Sequence, residues 1–172
     1  VVIMFCSSEE TCLGSSSVPI NFDAEPRHVS SEEQNIITTN PSVRTSYYYR
    51  KAYDSFMFRS YDGTRENIAK YLGCIRNTWA NLLLAHAQHA FYVGLISFWL
   101  VRKSRDEHQW HQIGNKSKLA LKKWTESSQW TFENKWYLLE AEESFCNNDF
   151  EAAKAYYEKA ISSAKIHKVR GC

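Results

Sequence analysis

At 172 residues the chain is long enough for one ordinary domain or a short run of helical repeats, and an aromatic share of 15% supplies material for a core. Three prolines and six glycines are too few for a strand-rich sandwich with frequent tight turns. The net charge of +2 hides an asymmetry: residues 1–46 hold six acidic and two basic residues, and residues 47–172 hold nineteen basic and thirteen acidic ones. That basic excess is mild and spread along the chain, which does not indicate a nucleic-acid surface.

The five cysteines, Cys6, Cys12, Cys74, Cys146 and Cys172, are odd in number, far apart and without a CxxC pair. This argues against a zinc ribbon, a thioredoxin motif or a secreted disulfide scaffold and places the chain in a reduced, cytoplasmic compartment. Cys74 and Cys146 are expected as small buried apolar groups, and Cys172 as an exposed thiol.

In chain order, Val1–Cys6 is too short for the apolar region of a signal peptide. Both ends read as cut, as in a piece of a longer protein. Residues 1–46 are rich in Ser, Thr, Asn and Glu, with apolar residues only in isolated pairs, so they are expected to be disordered or incomplete. Ser30 and Ser31 offer caps for one short helix over Ser31–Thr38.

From Tyr47 the period changes. Tyr49, Ala52, Tyr53 and Phe56 mark one amphipathic helix, and Asp62 stands where the next would take its N-cap before Ile68, Tyr71, Leu72 and Ile75. A long apolar helix is predicted from about Trp79 to Arg102, closed by Ser104-Arg105-Asp106. Asp106 then caps a helix striped by Trp110, Ile113, Ser117, Ala120, Leu121 and Trp124. Ser128 or Thr131 caps the helix through Trp136, Leu138, Leu139, Ala141 and Phe145. After a turn at Asn147–Asp149, the last helix is striped by Phe150, Ala153, Tyr157, Ala160, Ile161 and Ala164. The expected fold is all-α: six helices in three antiparallel pairs, forming a short tetratricopeptide-like α-solenoid over 47–172 behind a disordered 1–46 segment. Ala120-x3-Trp124-x2-Ser127 precedes Ala153-x3-Tyr157-x2-Ala160 by 33 residues, near the tetratricopeptide period of roughly 34. Ala87-x3-Phe91-x2-Gly94 lies a further 33 back but inside one helix, where coincidence is the simpler reading.

Candidate chemistry is sparse. No G-x-x-x-x-G-K-[S/T] run exists, so nucleotide binding is not expected. His86 and His89, like His108 and His111, are spaced i, i+3, but no carboxylate completes three ligands, and they read as structural histidines rather than a metal site. Within Ala80–Val101 the polar Asn81, His86, Gln88 and His89 disfavour a membrane span, and the uninterrupted apolar part suits a buried helix. Lys116, Lys118, Lys122 and Lys123 beside Trp124 read as a solvated face with the indole inward.

Several passages resemble the helical region of very large multidomain signalling proteins. They are Phe91–Leu95 with Phe98-Trp99, Lys122-Lys123-Trp124, Asn134–Glu142 and Asp149–Ile161. Such proteins combine a serine/threonine-kinase-like domain, a predicted AAA-type NTPase, a tetratricopeptide-like region, a GAF domain and a sensor histidine kinase. The resemblance covers about the last two thirds of the chain and implies a non-catalytic protein-interaction and spacer segment, without cofactor or metal. No catalytic residue of the kinase or NTPase domains has a counterpart here. The expected partners are proteins or adjacent domains. On the final helix pair, Leu138, Ala141 and Phe145 are expected to face inward and Lys135, Trp136, Leu139 and Glu142 to offer the interaction surface. Tyr156 and Ile166 are expected to be exposed and to favour self-association. The rival reading is a small helical enzyme or ligand-binding protein with a pocket near His86 and His89.

Overall fold

The computed structural model describes residues 30–75, 83–103 and 107–169. The chain divides into two units, Val1–Ser30 and Ser31–Cys172, and the second holds all the regular structure described. Among the described residues there are seven helices and no strand: α1 (Ser31–Thr39), α2 (Pro41–Met57), α3 (Tyr61–Ile75), α4 (Leu83–Lys103), α5 (Glu107–Ser127), α6 (Gln129–Cys146) and α7 (Phe150–Val169).

Helix begins well before Tyr47, inside the stretch whose composition reads as disordered. The short helix expected over Ser31–Thr38 is present as α1, and the Asn40-Pro41 pair explains why α2 starts ahead of Tyr47. Asn40 Oδ1 accepts the Ser42 and Val43 amides at 3.0 and 3.2 Å, and Pro41 fills the first turn, where no N–H is needed. Ile37 on α1 and Thr45 on α2 are buried. Of the expected disordered segment, residues 1–29 lie outside the described residues.

Two other boundaries differ from the sequence reading. α3 starts at Tyr61, so Asp62 sits in its first turn rather than at the cap. The expected Ser127–Thr131 turn shrinks to Ser128, whose hydroxyl bonds Thr131 Oγ1 at 2.8 Å and caps no backbone amide. Trp79 and the Ser104–Asp106 break lie outside the described residues. The 33-residue recurrence also fails to mark equivalent places. Ala120 falls late in α5 and Ala153 early in α7, because α5 and α6, of 21 and 18 residues, set the starts of α5 (Glu107) and α7 (Phe150) 150 − 107 = 43 residues apart.

α2 packs chiefly with α3, α4 with α5, and α6 with α7; α4 also touches α2, α3 and α6, and α5 touches α6. Two apolar clusters result. One gathers Ala52, Ile68 and Tyr71 around Val93, Ile96, Trp99 and Leu100, and the other gathers Phe91, Phe98, Leu121, Leu138, Leu139 and Ala160. The apolar run of α4 is thus a core helix, and no described helix is long and apolar enough to cross a membrane.

The α2–α3 and α6–α7 turns share one hydrogen-bond pattern. Ser60 N donates to Ser55 O and Asp149 N to Ser144 O, both at 2.9 Å, and the amides of Phe58 and Asn147 reach Asp54 O and Glu143 O at 3.0 Å. Arg59 (φ 60°) and Asn148 (φ 61°) each take the left-handed conformation that closes such a turn.

The glycines separate by what surrounds them. A methyl on Gly114 would lie 2.8 Å from the Phe98 ring, which is fully buried, whereas at Gly73 it would meet nothing. Gly73→Ala should therefore raise the unfolding free energy by up to ~1 kcal/mol through helix propensity. Gly114→Ala should lower it by ~1–3 kcal/mol through overpacking. Urea denaturation of both variants checks the opposite signs.

Candidate interaction surface

Most of the half-buried charge of the α4–α7 region converges on α6. Lys118 of α5 reaches both Glu140 Oε2, at 3.1 Å, and Glu143. Arg102 of α4 pairs with Glu142 Oε2 at 2.7 Å, and the Tyr157 hydroxyl of α7 donates to Glu142 Oε1 at 2.7 Å. Ser163 donates to Glu133 Oε2 at 2.8 Å, with His167 3.9 Å from the same oxygen. Lys135 Nζ donates to Thr131 O at 3.0 Å. Each of these groups has exchanged water for a fixed partner, which suits joints between helices better than a reactive centre.

This geometry corrects the expected surface. Leu139 is fully buried, because Gly94 and Ser117 leave its methyl groups a socket between α4 and α5. Glu142 is tied to Arg102 and Tyr157, with its side chain only 14% exposed. Lys135 and Trp136 are half-buried; burial holds the Lys135 ammonium below its usual range. Lys122 stands over the Trp136 ring at 5.6 Å. Trp136 and Tyr137 border a shallow depression of about 420 Å³ with Thr125, Glu126, Gln129 and Glu133. Phe145, expected inward, is 40% exposed; Phe150 is exposed as well. Ile166 is exposed as expected, and Tyr156 is half-buried against Tyr137. Lys118 turns inward rather than lying on the solvated face. Cys74 and Cys146 are half-buried rather than buried; Cys146 Sγ donates to Phe98 O at 3.3 Å.

Of the paired histidines, the His86 side chain lies outside the described residues, and the other three are held by packing partners. A 2.9 Å hydrogen bond joins His89 Nδ1 to the Tyr71 hydroxyl, and the Tyr49 ring stacks on His89 at 3.8 Å. His108 and His111 bond Gln112 and Asn115 one turn along their own helix. Among the described residues no three His, Cys, Asp or Glu side chains converge as a metal site would require.

Burial raises the hydroxyls of Tyr49, Tyr71 and Tyr157 well above the usual phenol range and Tyr92 to about 12, with Glu142 adding to the rise at Tyr157. Burial by itself would lower Lys118, but hydrogen bonds to Glu143 and Glu140 leave it raised. In every one of these the folded state keeps its proton longer than the unfolded chain, so stability falls as pH rises past the ordinary tyrosine and lysine values. Lys135 has the opposite sign over a lower window and offsets a little of the loss. Stability should hold to about pH 9 and drop above about pH 10, read as loss of helical dichroism. Helical dichroism unchanged well above that range would contradict this assignment.

No protein-family model, curated protein or solved structure matches this chain.

Proposed function

We propose that the chain is a non-catalytic, tetratricopeptide-like segment that spaces and contacts proteins within a large cytoplasmic signalling protein of the kind it resembles. In this reading α2–α3, α4–α5 and α6–α7 are three antiparallel pairs in one short solenoid. The supporting observation is the correspondence between the first and third pairs. Ala52, Thr64, Ile68 and Tyr71 keep the same spacing around the turn as Ala141, Ala153, Tyr157 and Ala160, and only Tyr157 is less than buried. Lys70 stands over Tyr48 at 5.5 Å, and its counterpart Lys159 stands over Tyr137 at 5.8 Å. The first helix of every pair carries small-x-x-Ser-Phe: Ala52–Phe56, Gly94–Phe98 and Ala141–Phe145.

Antiparallel pairing accounts for the order of contacts. Glu133 early in α6 meets Ser163 late in α7, whereas Glu142 meets Tyr157 nearer the start of α7. Likewise Trp124 late in α5 meets Phe132 early in α6, and Lys118 meets Glu140. An array whose polar groups hold its helices together gives spacing and surface, not turnover.

The test is to assay the purified chain for nucleotide hydrolysis and metal-dependent hydrolysis beside the His86→Ala/His89→Ala double variant. Neither should turn over substrate. Turnover by the parent chain that disappears in the double variant would replace this reading with the helical-enzyme one.

A further inference from the structure

On the first pair, one face is covered by α4. Tyr49 stacks on His89 at 3.8 Å, Tyr53 meets Tyr92 edge-on at 4.8 Å, and Phe56 and Tyr61 flank Trp99 at 5.5 and 6.3 Å. In the register set by the shared turn, these four covered residues correspond on the third pair to Leu138, Glu142, Phe145 and Phe150. There Phe145 and Phe150 are 40% and 56% exposed, with their rings edge to face at 5.3 Å. The two rings that would flank an incoming side chain are present and partly exposed, with the Arg102 guanidinium 5.2 Å from the Phe145 centroid.

The covering face of α4 has its own counterpart on α2. With the small-x-x-Ser-Phe segments aligned, His89, Tyr92 and Trp99 correspond to Tyr47, Arg50 and Met57. Met57 is 47% exposed, the Arg50 side chain 79%, and Phe58 beside them 74%. α1 meets α2 near Thr38 and Arg44, away from this stretch.

We infer that a second copy of this chain lays the Tyr47–Arg50–Met57 face of its α2 on the open α6–α7 face, as α4 lies on α2–α3. The inference rests on the array reading above. The thioether of Met57 enters between Phe145 and Phe150, a favourable contact for a polarizable sulfur. Glu142 beside these rings is already held by Arg102 and Tyr157, and Arg50 keeps its partner Asp54, 3.5 Å away, at the edge of the contact, which rests on the apolar side chains. Two different faces meet, so the contact does not close on itself and copies add head to tail.

Sedimentation velocity on the full chain, from micromolar to near-millimolar concentration, tests this. The weight-average mass should climb past that of a dimer. Met57→Asp alone and Phe150→Asp alone should each stay monomeric with unchanged helical dichroism. Mixed together they should form a one-to-one complex and nothing larger, because each supplies the face that the other lacks. A parent chain that stays monomeric, single variants that still assemble, or a mixture that does not pair would each overturn the proposal. Those failures leave the array reading standing, whereas hydrolytic turnover would sink that reading without touching the contact.

Discussion

Leu139→Ala should lower the unfolding free energy by about 2–5 kcal/mol, read as a shift of the urea midpoint at unchanged slope. Leu139 has no exposed surface, and its Cδ1 lies 2.7 Å from where a methyl on Gly94 would stand. Truncation removes three carbons from a socket formed by α4 and α5. Those helices cannot move in to fill the space, because Phe98 and Leu121 beside them are themselves fully buried. A loss below about 0.5 kcal/mol is what a surface residue would give, and it would contradict this packing. Gly94→Ala probes the same socket from the other side and should also destabilise, by ~1–3 kcal/mol.

Lys118→Met should cost about 1–3 kcal/mol, less than the ~3–5 typical of a fully buried pair because the groups keep some solvent contact. The Lys118 side chain is 15% exposed and the Glu140 and Glu143 side chains 17% and 15%. Without it, two half-buried anions one turn apart face an apolar side chain. The triple variant Lys118→Met/Glu140→Gln/Glu143→Gln should recover most of the loss, since the penalty comes from uncompensated charge and not from a missing attraction. If the triple variant were as unstable as the single one, Lys118 would be acting through its aliphatic stem.

How far this was legible depends on the kind of interaction. Period alone marks most of α2 to α7, because Trp110, Ser117, Leu121, Leu138, Ala141, Ala153 and Ala160 all lie on a buried stripe. The start at Asn40-Pro41 was readable from capping chemistry, yet the polar composition around it points the other way. The surface was harder. Leu139 and Phe145 lie on one helix, and their burial depends on which neighbour covers which side; a stripe calculation contains no neighbours. Glu142 and Lys118 look solvated by residue type, and only the approach of Tyr157, Arg102 and the α6 glutamates turns them inward. The correspondence of Ser55-Phe56 with Ser144-Phe145 was present in the sequence. Their separation is far longer than one helix pair, and the matching residues are often alike only in size, as Thr64 and Ala153 are.

The position of α4 between the two apolar clusters has a consequence for hydrogen exchange. Val93, Ile96, Trp99 and Leu100 belong to one cluster, and Phe91 and Phe98 to the other. Releasing the α4 amides to solvent therefore requires both clusters to open at once, an event as costly as unfolding the whole helical unit. α1, which among the described helices touches only α2, can open by itself. Deuterium should enter α1 first and the centre of α4 last, with the slowest α4 amides reporting the global free energy.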